Sequence, residues 1–164
     1  MAFLNWVQNL PYSIWLNESS SVWGYPMFLF LHTLGMSIVA GGTTMISFAL
    51  LGLWPKTMPI QPLERIFPIL FWGFAVNVFT GVSILMKDAT TTGANPDFYV
   101  KMVFVAAGFM LLLAIRQRVF RNRDVDVQPL PGGVRFLAWG SLICWFAAII
   151  AGRLIAYVGP VAGV

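Results

Sequence analysis

Four stretches of the chain are apolar on every side, separated by short polar junctions. Positions 19–55 carry no charge, and within them a helix is predicted over 26–53. Comparable runs follow at 66–86, 98–115 and 136–158, the last interrupted by one charge, Arg153. A bilayer core about 30 Å thick is crossed by about 20 apolar residues in a helix, so each run is long enough to span, and the first is long enough to tilt. Lys101 lies close enough to the start of the third run to snorkel. Breakers stand at the boundaries. Pro55, Pro59 and Pro62 follow the first run, Asn95-Pro96 opens the third, and Pro129, Pro131, Gly132 and Gly133 precede the fourth. The pattern predicts an all-α membrane protein, a four-transmembrane-helix bundle over 19–164, with no internal repeat.

Residues 1–18 follow a different pattern. Phe3, Val7, Leu10 and Ile14 recur at helical spacing, with Asn5, Gln8, Asn9 and Ser13 between them. Trp6, Tyr12 and Trp15 suit the headgroup layer. The segment is predicted to be an amphipathic interfacial helix, kinked or divided at Pro11. A signal peptide needs a positive n-region, and the first basic residue is Lys56.

Composition narrows the class. Of 164 residues, 59% are hydrophobic and 10% charged, against roughly 25% charged in a soluble domain. That argues against a soluble enzyme and against disorder, and the single Cys144 rules out an internal disulfide framework. The net charge of +4 comes from basic residues at the ends of apolar runs and is no nucleic-acid signal. Their distribution sets the orientation expected from the positive-inside bias. Lys56, Arg65, Arg116, Arg118, Arg121, Arg123 and Arg135 fall in the 54–65 and 116–135 loops, whereas Lys87 and Lys101 flank the other junction. Seven against two puts both termini outside, which in a bacterium places the protein in the inner membrane with its termini in the periplasm.

Ionisable groups inside spans are costly and are functional hypotheses by default. His32 is the only histidine, and Arg153 is the second such group. At 1.5 Å rise per residue, both fall roughly 8–13 Å below the outer end of the bundle, with Asn77, Thr80 and Met102 at comparable levels. Gly35, Val39, Gly42 and Ile46 share the face of His32, so two glycines leave a surface on which a flat macrocycle could lie. The same glycines also suit small-residue helix packing. For His32 three readings stand open: an interhelical hydrogen bond, a haem-iron ligand, or a proton relay. Asn77 lies between Gly73 and Gly81 at four-residue spacing and is either a ligand contact or interhelical glue. Arg153 keeps its proton and needs an anion, either a surface carboxylate or an acidic ligand such as a haem propionate. Met86, Met102 and Lys101 are the candidates for a second axial ligand, because Met36 shares the helix of His32. Cys144 is expected to be packing.

The runs FLFLHTLGMSIVAGGTTMISFALLGL, FPILFWGFAVNVFTG and NPDFYVKM occur in order along the chain. Together they resemble a family of small bacterial four-helix membrane proteins. More distantly, the layout is similar to CopD-type copper-resistance proteins and to HemJ-type protoporphyrinogen oxidases. The resemblance places His32 at the helix-1 histidine that ligates haem in HemJ-like proteins and Lys101 at the lysine heading the third helix. Gly41-Gly42, Pro68 and Thr80-Gly81 match motif positions. It implies a shared haem-type scaffold rather than a shared reaction, since the further histidines and a Met/His copper cluster are absent.

Three functions follow as expectations. The first is a b-type haem subunit near the periplasmic face, with metal ligand His32 and with Gly35, Gly42, Asn77, Thr80, Lys101, Met102 and Arg153 around the cofactor. Such a subunit would pass electrons between quinone and a periplasmic redox protein, or anchor a dehydrogenase in the bilayer. The second is a non-catalytic structural or assembly subunit of a larger membrane complex or homo-oligomer, without cofactor. The third is a small-solute or metal transporter formed by an oligomer. No nucleophile–base pair or phosphate loop supports hydrolysis or phosphoryl transfer.

Overall fold

The computed structural model describes residues 2–55, 57–121, 126, 130 and 132–158. Among these residues there is no strand. The helices are α1 (Ala2–Gln8), α2 (Pro11–Glu18), α3 (Tyr25–Leu51), α4 (Phe67–Lys87), α5 (Ala89–Ala94), α6 (Pro96–Ile115) and α7 (Val134–Val158). A 3₁₀ turn, Gln61–Ile66, leads into α4, and a π turn, Arg116–Phe120, extends α6. Lys56, Arg123, Pro129 and Pro131, which mark boundaries or charge in the sequence, lie outside the described residues.

Four helical segments, containing α3, α4, α6 and α7, are long and apolar enough to cross a membrane. The protein is a multi-pass membrane protein built as a four-helix bundle. Its outward surface carries large apolar side chains such as Trp72, Phe79, Val103 and Phe136, which lipid satisfies and water does not.

Local chemistry fixes the helix ends. Pro26 stands in the first turn of α3, where a missing N–H costs nothing. The helix stops at Gly52 (φ +84°) rather than at Pro55: Gly52 N–H donates to the Ala49 carbonyl at 3.2 Å, and Leu53 N–H to that of Phe48 at 3.0 Å. That is a Schellman closure, which requires the left-handed conformation glycine adopts freely. At the start of α6, the Asn95 side chain accepts from Asp97 N–H at 2.9 Å, and Pro96 follows as the first helical residue.

Two tight hairpins make the bundle. In α3/α4 a Cβ on Gly35 would stand 2.8 Å from the Gly73 carbonyl oxygen, and Gly42 leaves space that Leu70 fills. In α6/α7, Gly108 receives the Trp145 ring and Gly140 receives Leu111. The hairpins join where α3 packs on α7 and where the rings of Phe74 and Phe109 stack at 4.1 Å between α4 and α6. The core is densest toward the arginine-rich end, around Ile46, Leu50, Phe67, Leu112, Ile115 and Phe120.

The opposite end is organised differently. Pro11 does divide the N-terminal segment, into α1 and α2, and both lean on the bundle. Gln8 Oε1 accepts from Thr90 N–H at 3.0 Å and from the Thr90 hydroxyl at 2.7 Å. The Tyr12 hydroxyl donates to Ser83 Oγ at 2.9 Å, and Leu4 packs where Gly93 has no side chain. Leu16 and Ser13 are buried, while Phe3, Trp6 and Trp15 remain exposed. The segment is therefore both a packed cap on α4/α5 and an apolar outer surface.

Candidate functional site

The α5 end of the bundle opens into a cavity of about 440 Å³, within the range that small-molecule and cofactor sites occupy. All four spanning helices reach it. Tyr25, Leu29 and His32 come from α3, Gly81, Ile84 and Leu85 from α4, Lys101 from α6, and Gly152 from α7. Thr91 and Thr92 of α5 and the capping residue Asn95 close the rim. Clefts also occur at the arginine-rich end, but they are lined by the loops and helix ends there, whereas this one is reached by all four spanning helices.

His32 is fixed from α4. Its Nδ1 lies 3.1 Å from the Asn77 carbonyl oxygen and 3.1 Å from Thr80 Oγ. A carbonyl only accepts, so Nδ1 carries the proton in this arrangement. The Thr80 hydroxyl spends its own hydrogen on the Val76 carbonyl at 2.7 Å and is left as an acceptor. The tautomer is thereby set, and Nε2 keeps its lone pair. Among the described residues Nε2 makes no hydrogen bond. The clasp is mutual, because Asn77 Nδ2 donates to the His32 carbonyl at 2.9 Å. Gly81 lies against the imidazole, and a Cβ there would stand 3.0 Å from His32 Cε1. A protein carbonyl on one ring nitrogen and a free lone pair on the other is the arrangement of a ligating histidine.

Lys101 enters the same cavity from α6. Its side chain runs past Gly152, where a Cβ would lie 3.5 Å from Cε and 3.6 Å from Nζ. A Cβ there would only touch the lysine, whereas a larger side chain would reach into its path. Lys87 stands at the rim with Nζ 4.3 Å from the centroid of the Tyr25 ring, a cation–π contact, and Asp88 is its neighbour on the wall. The cavity therefore offers one imidazole nitrogen, two basic lysine side chains and one carboxylate on a lining of mixed polar and apolar residues.

The structure brings His32 and Lys101 onto one cavity and sets Asn77 and Thr80 behind the histidine as its supports. Four other residues expected around a cofactor lie elsewhere. Gly35 and Gly42 offer no bed for a macrocycle, because α4 occupies both: the Gly73 backbone closes the first and Leu70 the second. Met102 faces away from the bundle, 47% exposed. Arg153 is exposed on α7, while its neighbour Gly152 lines the cavity. Met86 is not on the wall either, so Lys101 alone of the second-ligand candidates lines the cavity. Gly152, Lys87 and the Thr91-Thr92 run are not expected on the wall from the sequence, and Gly81 is expected there only as a packing and motif position. Of these only the threonine run, set between Asp88 and Asn95, stands out in the chain as a polar interruption. No cluster of three His, Cys, Asp or Glu able to hold a metal occurs among the described residues.

Comparison with known proteins adds nothing to this geometry: no family model matches the chain, and no curated protein or solved structure shows significant similarity to it.

Proposed function

We propose that the protein is a membrane-embedded b-type haem subunit, with the cofactor held in the cavity at the outer, periplasmic end. The observation that carries this reading is the locking of His32 Nδ1 on the Asn77 carbonyl, which leaves Nε2 as a lone-pair donor beside a 440 Å³ cavity. The donor set fits an iron porphyrin. His32 Nε2 and, once it has given up its proton, the Lys101 amine would hold the iron, and Leu29, Ile84, Leu85 and Ile155 would supply the apolar contact. Lys87 at the rim is the cation placed to meet acidic edge groups, in the role that the sequence assigns to Arg153.

Bound iron would supply one-electron redox chemistry, and the protein's share is ligation, orientation and exclusion of water. Asn77 and Thr80 hold the imidazole plane, and Gly81 admits it. Set near one membrane face, such a centre suits electron passage between a quinone in the bilayer and a redox protein outside, or the anchoring of a dehydrogenase. Haem quantification on the detergent-purified protein, after expression with ample haem, tests the reading. About one haem per chain is expected, and a colourless protein contradicts it in favour of a purely structural subunit.

A further inference from the structure

At the other end of the bundle, the π turn Arg116–Phe120 closes the third spanning segment, which runs from Pro96 to Phe120. In an α-helix, residues five apart point about 140° away from each other. A π turn bonds i to i+5 and carries such residues round to one side. Here it brings Arg116 and Arg121 to the same groove, a cleft of about 260 Å³ completed by Leu113, Gln117 and Glu64. The turn is anchored from beneath by Val119 and Phe120, which are buried, and Phe120 meets Phe67 edge-on at 5.3 Å.

Arg116 is held in place by aromatic rings, and neither arginine pairs with Glu64 among the described residues. The Arg116 guanidinium lies 5.2 Å from the centroid of Phe71 and 5.7 Å from that of Phe67. That orients the guanidinium and leaves its N–H groups available. Glu64 accepts from Gln61 Nε2 at 3.1 Å, and no hydrogen bond or ion pair between Glu64 and either arginine occurs among the described residues. The groove lies at the end of a span, where lipid headgroups lie, and Leu113 continues it toward the acyl region.

We infer that this groove is a binding site for phosphatidylglycerol, an anionic diacyl phospholipid with a hydroxylated headgroup. Two guanidinium groups meet the phosphodiester in the geometry arginine favours. The Glu64 carboxylate and the Gln117 amide receive the glycerol hydroxyls. Two positive charges and one negative leave a net charge of +1, which matches a headgroup of charge −1. The net charge favours it over phosphatidylethanolamine, whose net charge is zero and whose ammonium is the competing partner for Glu64. It also separates Arg116 and Arg121 from Arg118, which is exposed on the same turn but does not line the groove.

The test is native mass spectrometry of the full chain released from nanodiscs of equal phosphatidylglycerol and phosphatidylethanolamine. The wild type is expected to retain phosphatidylglycerol at least fivefold over its bulk share. The Arg116→Gln/Arg121→Gln variant should lose that enrichment, and Arg118→Gln should keep it. Helix content by circular dichroism confirms folding. Should the double variant not fold, Arg121→Gln alone carries the test, because among the described residues Arg121 makes no aromatic contact, and its loss should still lower retention severalfold. Equal retention of the two lipids by the wild type would overturn the assignment, as would equal loss from Arg118→Gln, which would reduce the effect to general surface charge.

Discussion

His32 and Asn77 bind each other's backbone across the α3/α4 interface: imidazole Nδ1 is 3.1 Å from the Asn77 carbonyl oxygen, and the Asn77 amide nitrogen is 2.9 Å from the His32 carbonyl oxygen. The pair therefore does two jobs. It ties two helices together where Gly35 and Gly73 let them touch, and it fixes which imidazole nitrogen is free. Because the bond to Nδ1 comes from a backbone carbonyl, substituting Asn77 does not remove it.

Asn77→Leu separates these jobs. It deletes the amide bond to His32 and should cost about 0.6–1.7 kcal/mol of helix–helix interaction. Cofactor content should survive, since the Asn77 carbonyl and Thr80 Oγ still hold Nδ1. Thermal unfolding in detergent together with haem content checks both halves, and complete haem loss in a folded Asn77→Leu protein would contradict the assignment of the backbone carbonyl as the orienting group.

Gly81 and Gly152 are predicted to matter only through the side chains they admit. Gly81→Val would drive a methyl into the imidazole, since even a Cβ at that position would stand 3.0 Å from His32 Cε1, and Gly152→Leu would fill the path of Lys101. Each should reduce cofactor occupancy severalfold while helix content holds. By contrast, Gly41→Ala meets nothing within 4 Å and should leave occupancy unchanged, which controls for a general intolerance of glycine replacement.

Gly35→Val should behave as a folding defect. Its Cβ would stand 2.8 Å from the Gly73 carbonyl oxygen and 3.1 Å from Asn77 N, contacts that backbone cannot relieve by a rotamer change. Overpacking of this kind costs about 1–3 kcal/mol. Lower yield and a lower midpoint of thermal unfolding are expected, and an unchanged midpoint would mean that α3 and α4 do not touch at this glycine.

Arg153→Leu should leave cofactor content intact, because Arg153 is exposed on α7 and off the cavity wall. Membrane insertion should be equal or better, since a central arginine costs roughly 2.5–3.5 kcal/mol on insertion scales and a position nearer the end costs less. Lys87→Gln should instead weaken cofactor retention. The opposite pattern would restore the propionate role to Arg153.

The four spans were legible because lipid imposes one strong rule, an apolar run of sufficient length. Their ends were less so. Pro55 is the conspicuous breaker, yet Gly52 ends α3, because a left-handed closure acts before a proline is reached. Depth along a helix was also readable, which is why His32 and Lys101 could be assigned to the same end. Rotation about the axis was not. A helix apolar on all sides gives no amphipathic phase, so nothing in the sequence distinguished lipid-facing Met102 and Arg153 from cavity-facing Lys101 and Gly152. The face shared by His32, Gly35 and Gly42 was identified correctly, but its occupant is α4. The docking of α1 on α5 rests on pairs such as Gln8–Thr90, which no local pattern announces.

Ligation of haem iron by His32 Nε2 is tested most directly by the optical spectrum of wild type against His32→Ala. With no other histidine in the chain, nothing can replace it. The bundle should still assemble, because Gly35, Gly73 and Gly108 and the spans they join are untouched. Wild-type protein is predicted to show a Soret band with resolved α and β bands on reduction, and His32→Ala to lose them at unchanged helix content. A His32→Ala protein with the wild-type spectrum, or a wild type without a Soret band after haem-replete expression, would contradict the account.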